Sequence, residues 1–265
     1  MSIGAGKILL VMQFYAGDKP TAMALSRLIC DIEHEVCPWA DFAFLARSDC
    51  EHDAETAAYM KTNFGHVHLL KSTRRAKGWP QGPNAMFMDI CRIVHDKTKA
   101  GEWAYDAISL LESDDLPLRS TWIKELHDEW HGGTQLVLGD WVGRGDNLAK
   151  SHINGNLLFA PSLTDRLPEV WNPMLGIPVR AWDQYFWPQF APVARASHLI
   201  FSDYRLGTRN HPWLGCESLW TPRVHGDKTN PLEKVKLMPC LLHGCKEPAG
   251  RKCVREKLLG PPVAV

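Results

Sequence analysis

Hydrophobic and polar residues alternate in blocks along the first half of the chain, and these blocks predict strands and helices in turn. Apolar runs at "KILLVMQF", "DFAFLAR", "HVHLL" and "AISLL" predict four strands, of which the first and the fourth are expected to be buried. Between them, apolar residues recur at helical spacing, as at Leu25, Leu28, Ile29 and Ile32, and further stripes follow Asn84 and Ser120. This rhythm predicts an α/β fold with a mainly parallel central sheet flanked by helices.

The second half of the chain has a less regular pattern. "TQLVLGDWV", "INGNLLFAP" and "SHLIFSDYR" predict further strands, and "AWDQYFWPQF" predicts a short helix ended by Pro188. From residue 205 onward Pro, Gly, His and charged residues dominate, so we expect this segment to wrap a site instead of building a core. The whole of 1–265 is expected to form a single domain.

Composition narrows the possible partners. Lys and Arg number 30 and so do Asp and Glu, so no overall basic field attracts nucleic acid or anionic lipid, although a local basic groove stays possible. No apolar run is long enough to cross a membrane, and we expect a cytoplasmic protein. The eight scattered cysteines are expected to be free thiols in a reducing compartment. The eleven tryptophans serve either as core residues or as stacking surfaces for sugars and bases.

The fourth predicted strand ends in "ESDD", with three acids in four positions. Glu112 and Asp114 are two residues apart and point to the same side of an extended chain, while Asp115 points elsewhere or caps the turn. Carboxylates this close need a counter-charge, and Mg²⁺ or Mn²⁺ prefers oxygen ligands. The alternative is a solvated turn near a helix N-terminus. In parallel sheets ligands bind beyond the carboxyl ends of the strands, where these acids fall.

A basic segment, "KSTRRAKGWPQGPN", precedes a predicted helix. Its Arg74, Arg75 and Lys77 suit an anion, either the phosphates of a small ligand or a polynucleotide backbone. The alternative is a solvated basic loop. No phosphate-binding P-loop pattern occurs in the chain.

Two further motifs carry polar groups suited to a ligand. "HINGN" places His152, Asn154 and Asn156 on one face of a strand, with Gly155 allowing close approach, which favours a sugar-hydroxyl pocket over a half-exposed strand. Asp183 lies among aromatic residues, which raise the pKa of a carboxyl group and suit it to act as a general base. The alternative for Asp183 is capping a short helix.

Taken in order, these motifs resemble the nucleotide-sugar-dependent glycosyltransferases of the GT-A fold. The resemblance rests on the strand, acid-x-acid and "LPLRSTWIKEL" sequence, the loop after the first strand, "HINGNLLFAPSL" and the late "LLHGCKE". The family's usual Asp-x-Asp is Glu-x-Asp here, which leaves the role of Glu112 open. A narrower similarity is to small phage and bacterial transferases that glycosylate hydroxymethylated DNA bases, and no motif supports it.

The resemblance implies transfer of a sugar from a nucleoside-diphosphate donor, such as a UDP-sugar, to an acceptor hydroxyl with Mn²⁺ or Mg²⁺. It implies metal binding by Asp114 together with Glu112, Asp115 and a late histidine. His243 is favoured over His225 because it ends the apolar "KLMPCLLH". Asp183 or Glu217 would be the general base. The donor would contact Gln13, Tyr15, Lys19, Arg47, Arg74, Arg75, Lys77, Glu112, Ser113, His152, Asn154, Gly155, Asn156 and Lys246.

Within the single domain, the resemblance assigns nucleotide-sugar binding to 1–116, the acceptor and sugar pocket to 117–204, and closure of the site to 205–265. Other functions stay open: a nucleotidyltransferase, a transferase acting on a glycan or small molecule, or a module that binds sugar or nucleic acid. A structural zinc site is a further alternative. It would use His243, Cys240, Cys245 and Cys253, with or without Cys216, and would leave His225 for the catalytic metal.

Overall fold

The computed structural model describes residues 2–142, 152–171, 176–202, 215–220, 223–226, 234–237, 239–245 and 248–260. The strands are β1 (Ile8–Phe14), β2 (Ala40–Ala46), β3 (Val67–Lys71), β4 (Ala107–Leu111), β5 (Leu116–Pro117), β6 (Val137–Val142), β7 (His152–Phe159), β8 (Ala194–Ala196), β9 (Ile200–Ser202), β10 (Arg223–Gly226), β11 (Lys234–Leu237) and β12 (Leu241–His243). The helices are α1 (Lys19–Ile32), α2 (Ala54–Met60), α3 (Gln81–Lys99), α4 (Trp122–His131), α5 (Pro168–Trp171), α6 (Trp182–Tyr185), α7 (Trp187–Phe190) and α8 (Pro248–Leu259).

A seven-stranded sheet in the order β3-β2-β1-β4-β7-β6-β8 forms the centre of the molecule. Strands β3, β2, β1 and β4 run parallel to one another, whereas β7 runs antiparallel to both β4 and β6. The predicted α/β fold with a mainly parallel sheet is therefore confirmed. Because β7 is antiparallel to β4, its first residues lie at the edge where β4 ends.

The continuous apolar run of β1 is explained by burial on both faces of the sheet. Successive side chains of a strand point to opposite faces. Met12 and Phe14 pack with the helix α1 layer, while Leu9 and Val11 pack with the α3 layer. A strand covered on both sides needs apolar residues at every position, which is why these strands could be predicted from compact runs.

A second, three-stranded sheet in the order β5-β12-β9 lies where β4 ends. Strand β5 follows the acidic turn directly, and it pairs antiparallel with β12, with Leu242 opposite Leu116. Strand β9 pairs parallel with β12 on the other side, with Ser202 opposite His243. This small sheet carries a distant segment of the chain to the acidic turn.

Several elements differ from the sequence prediction. The single helix expected around Asp183 is two short helices, α6 and α7. Helices α2 and α8 were not predicted. Helix α8 packs on α1, places Cys253 and Val254 in the core, and forms an ion pair between Arg255 and Asp31. The C-terminal segment therefore contributes to the core, contrary to expectation.

The expectation that all cysteines are free is wrong for two of them. Cys216 and Cys253 form a disulfide, because α8 docks against the short 3₁₀ helix Cys216–Trp220 and brings the two Cα atoms to 5.6 Å. The other six cysteines are buried and form no disulfide within the described residues. A zinc site using Cys253 is accordingly ruled out.

Within the described ranges, the helices are all too short or too polar to span a lipid bilayer.

Candidate functional site

The acidic turn after β4 and the end of β12 meet at one point. The His243 Nε2 atom lies 3.3 Å from Glu112 Oε2 and 3.5 Å from Asp114 Oδ1. One ligand atom from each of these three residues lies within 4.8 Å of the others, and no second group of this kind occurs in the part of the chain that the structure describes. Asp114 and His243 are buried, so the alternative of a solvated turn does not fit.

Asp115 holds the turn in shape. Its Oδ2 accepts a hydrogen bond from the Glu112 backbone N–H at 2.8 Å, and its Oδ1 accepts one from Asn156 Nδ2 at 2.6 Å. Burial raises the pKa of this carboxyl well above its usual value, although the nearby His243 opposes the rise. Asp115 lies outside the group of three possible metal ligands, so the structure gives it a supporting position.

The charge on His243 is governed by two opposing effects. Burial disfavours the imidazolium, but hydrogen bonds to Asp114 and Glu112 outweigh it and raise the pKa of His243 well above the ordinary value. With no cation present, a protonated His243 thus balances part of the negative charge. A divalent cation would displace that proton from Nε2 and take over the balancing role. Two carboxylates and one imidazole form a chemically suitable donor set for such an ion.

The start of β7 lines the same site. Asn154 Nδ2 lies 2.7 Å from Ser202 Oγ and 3.1 Å from His243 Nδ1. A Cβ atom added at Gly155 would lie 3.0 Å from Glu112 Oε1 and 3.4 Å from a Trp182 ring carbon. Gly155 thus leaves the space that the Glu112 side chain needs.

Asp183 lies in the first turn of α6, beside the site. Its Oδ2 is 3.7 Å from His152 Nε2, and its Oδ1 accepts a hydrogen bond from the Gln184 backbone N–H. Burial, reinforced by the charge of Glu112, raises the pKa of Asp183 to about 6. The carboxyl therefore titrates close to neutral pH.

Asn84 fixes the loop that leads into α6, a role that sequence reasoning missed. Its amide Nδ2 donates to the carbonyl oxygens of Pro178 and Arg180, both at 2.7 Å, and its Oδ1 accepts from the Trp182 backbone N–H. The Trp182 ring stacks on Phe87 with centroids 3.8 Å apart. In the sequence, Asn84 is distinguished only by its position just before apolar residues at helical spacing.

The loop after β1 lies next to the acidic turn. Ser113 Oγ donates to Asp18 Oδ2 at 3.4 Å. The Arg47 guanidinium lies 4.6 Å from the centre of the Tyr15 ring and makes two hydrogen bonds to Asp49. The Tyr15 side chain is exposed, so part of a ring braced by a cation is accessible to a ligand.

Three further residues were predicted to contact the donor at this edge of the sheet. Gln13 lies half-buried near the end of β1, and Lys19 reaches the His52 carbonyl oxygen at 3.4 Å. Arg74 forms an ion pair with the buried Asp89, so its charge neutralises an internal carboxylate. That pairing explains part of the basic segment without a ligand.

Five other predicted residues are either exposed or outside the described side chains, and none of them is shown beside the three acids and His243. Arg75 and Lys77 are exposed, and Lys77 Nζ lies 3.9 Å from Asp49. Glu217 is exposed on the 3₁₀ helix that the disulfide joins to α8. Lys246 lies outside the described residues. His225 belongs to β10, which pairs with β11, and its side chain lies outside the described part of the structure.

Comparisons with known proteins identify the fold. No family model matches the chain, and no curated protein matches it in sequence. Among solved structures, the galactosyltransferase LgtC in complex with donor and acceptor sugar analogs aligns with a TM-score of 0.57 at 12% identity, over 97% of each chain. The bifunctional glycosyltransferase WbbM aligns with a TM-score of 0.55 at 11% identity, over 99% of this chain and 51% of its own.

The glycosyltransferase GlyE of Streptococcus pneumoniae aligns with a TM-score of 0.52 at 11% identity, over 96% of this chain and 60% of its own. The chain thus spans nearly all of LgtC and about half of WbbM. Its fold is the GT-A glycosyltransferase fold that the sequence motifs resembled.

Proposed function

We propose that the protein is a metal-dependent glycosyltransferase that moves a sugar from a nucleoside-diphosphate donor to an acceptor hydroxyl. One observation carries the proposal: Glu112, Asp114 and His243 converge in a largely buried position at the carboxyl edge of a GT-A-type sheet. A buried carboxylate with a second carboxylate and an imidazole beside it is a suitable site for a cation, and a donor diphosphate needs one as well.

Glu112, Asp114 and His243 Nε2 would hold Mn²⁺ or Mg²⁺, while Asp115 keeps the turn in the required conformation. The imidazole nitrogen favours Mn²⁺ of the two, because Mg²⁺ prefers oxygen ligands alone. The cation, when bound, acts as a Lewis acid on the diphosphate leaving group.

The donor nucleotide would occupy the neighbouring edge of the sheet. The exposed face of Tyr15, braced by Arg47, suits stacking on a nucleobase, while Gln13, Lys19 and Ser113 lie around the same loop. The transferred sugar would contact the start of β7. There Asn154 borders His243, and the fully buried Asn156 would support the pocket from behind through its hydrogen bond to Asp115.

Lysine and arginine side chains near this edge would contact the diphosphate as further charges. Arg75 and Lys77 are exposed and can reach toward a ligand, and Lys246 follows the strand that carries His243. Arg74 is less suited to this role, because it is engaged by Asp89.

Asp183 is the group we propose as general base. A carboxyl with a pKa of about 6 is ionised at neutral pH and accepts a proton more readily than an ordinary aspartate. His152, beside it, would line the same pocket. Glu217 is the second candidate for the base.

The test is metal-dependent release of free nucleoside diphosphate from a panel of UDP-sugars and other sugar nucleotides. We expect release with Mn²⁺, none after chelation, and a loss of about 100-fold or more in the Asp114→Asn variant with unchanged folding. If no sugar nucleotide binds or turns over, and Asp114→Asn behaves as the unmodified chain does, the proposal fails. Pyrophosphate release from a nucleoside triphosphate and a sugar phosphate would identify a nucleotidyltransferase instead.

For the acceptor, we propose a 5-hydroxymethylated pyrimidine in DNA as the first class to assay. The support is the exposed Arg75 and Lys77 together with the exposed Trp79 ring, which suit a phosphate backbone and an unstacked base. Modified DNA, matched unmodified DNA, glycans and small-molecule alcohols should be compared by mass spectrometry. If only a glycan or a small molecule gains mass, that molecule and not DNA is the acceptor.

A further inference from the structure

The hydrogen bonds on the far side of the His243 ring constrain how this residue can bind a cation. Its Nε2 atom faces Glu112 and Asp114, whereas Nδ1 faces Asn154 Nδ2 at 3.1 Å and Ser202 Oγ at 3.4 Å. A metal bound at Nε2 requires a neutral imidazole that carries its hydrogen on Nδ1. That hydrogen needs an acceptor.

Asn154 is poorly placed to supply the acceptor. Its Oδ1 already accepts a hydrogen bond from the Gly155 backbone N–H at 2.8 Å. If the amide were turned over, its NH₂ group would face the Gly155 N–H, and two donors would oppose each other. In the orientation that satisfies Gly155, the amide NH₂ points toward His243 and Ser202. It can donate to Nδ1 only while that nitrogen carries no hydrogen, and it cannot accept the Nδ1 hydrogen that metal binding at Nε2 requires.

Ser202 Oγ can accept from both neighbours. A hydroxyl oxygen has two lone pairs, one for Asn154 Nδ2 at 2.7 Å and one for the Nδ1 hydrogen of His243. Its position is built into the fold, because Ser202 is opposite His243 in the pairing of β9 with β12. Its backbone N–H also donates to the buried Asp140 at 2.9 Å.

We propose that Ser202 is a positioning residue that accepts the Nδ1 hydrogen of His243 and thereby presents Nε2 to a divalent cation, with Asn154 holding the hydroxyl in place. The inference rests on the proposed metal site. It assigns a role to a residue for which the sequence motifs gave none.

The experiment measures Mn²⁺ affinity of the full chain by electron paramagnetic resonance of free Mn²⁺, with no sugar nucleotide present. We expect Ser202→Ala to weaken binding about 10- to 100-fold, the usual range for loss of such a partner, and Ser202→Thr to stay within about threefold of the unmodified chain. Ser109→Ala is the matched control, since Ser109 Oγ on β4 is buried and has no hydrogen-bond partner among the described residues.

A second variant tests the direction of the hydrogen bond. Asn154→Asp keeps an acceptor for the Gly155 N–H and offers its other oxygen to His243 Nδ1, so it should restore Mn²⁺ affinity when combined with Ser202→Ala. Equal affinity of Ser202→Ala and the unmodified chain would overturn the inference and leave the metal site intact. An equal loss in Ser202→Thr and Ser202→Ala would also overturn it, because packing would then be the cause. If the unmodified chain binds no Mn²⁺, the metal site itself fails and this inference fails with it.

Discussion

Gly155→Ala is the most discriminating substitution for the geometry of the site. Gly155 has no positive φ angle, so alanine fits its backbone without strain. The added methyl carbon, however, would lie 3.0 Å from Glu112 Oε1 and 3.4 Å from the Trp182 ring. The perturbation is therefore one methyl group placed against a proposed metal ligand.

The size of the effect follows from these contacts. A carbon–oxygen contact is comfortable at about 3.5 Å, so the Glu112 carboxylate must retreat by about 0.5 Å. Its side chain is 43% exposed and can move toward solvent, so we expect a change in unfolding free energy within about 1 kcal/mol. A ligand displaced by this distance should weaken Mn²⁺ binding and turnover about 10-fold or more, because sites of this kind tolerate little misplacement.

The assay is Mn²⁺ titration and sugar-nucleotide turnover, with thermal unfolding measured in parallel. Gly65→Ala is the matched control: its methyl would lie 3.4 Å from Asp41 Oδ1, an ordinary contact with a carboxylate elsewhere in the sheet, and should change neither quantity. Unaltered Mn²⁺ affinity in Gly155→Ala would refute the placement of Glu112 as a ligand. A large loss of thermal stability would instead show that the methyl disturbs the fold.

Three further predictions use other parts of the structure. Asp114→Asn should abolish Mn²⁺ binding and leave the fold intact. Asp115→Asn, by contrast, sets an amide NH₂ against a buried N–H donor. It should therefore lower the unfolding free energy, measured by urea denaturation, by about 1–3 kcal/mol. At saturating metal, kcat/KM should rise with pH along a limb at or below about 6, because a protonated Asp183 carboxyl cannot accept a proton and a bound cation would offset the charge of Glu112 that helps to raise its pKa; a limb that persists in Asp183→Asn would exclude Asp183 as the base. Burial makes ionisation of the Asp183 carboxyl unfavourable in the folded protein. Asp183→Asn should therefore stabilise the protein at pH values above about 6 and should have no such effect at pH values well below 6. Reduction of the Cys216–Cys253 disulfide, or Cys216→Ser, should lower the unfolding free energy by about 4 kcal/mol. The chain-entropy model gives this figure because the two cysteines are 37 positions apart in the sequence. An identical urea midpoint with and without dithiothreitol would contradict this prediction.

Much of the fold and the centre of the site could be predicted from local patterns. The strands β1, β2 and β4 have compact apolar runs because both faces of the sheet are covered there, and α1 shows its buried stripe at helical spacing. Glu112 and Asp114 do lie together as expected, but in a turn and not in an extended strand, because β4 ends at Leu111 and the Asp115 backbone N–H donates to the Glu112 carbonyl oxygen. The β7 residues Asn154 and Asn156 face the acidic turn because β7 is antiparallel to β4.

Other features escaped prediction because they depend on contacts between distant segments. Strand β5 has only two residues, too few to show a period, and the pairing of β12 with β5 and β9, which places Ser202 opposite His243, joins segments far apart in the chain. The disulfide partner of Cys216 was decided by the docking of α8. Arg74 resembles a ligand contact in sequence, and its partner Asp89 is found only in the folded chain.

The difference between the features that the sequence predicts and those that only the tertiary structure decides has a physical reason. Burial on one or both faces of an element acts on residues a few positions apart, so backbone periodicity records it in the sequence. The function of a polar side chain depends on which groups share its low-dielectric surroundings, and those groups come from different elements. Three adjacent acids could therefore be recognised from the sequence as a possible cation site. Only the tertiary structure decided that Asp115 holds the turn, that Asp114 and Glu112 face His243, and that Ser202 lies behind the imidazole.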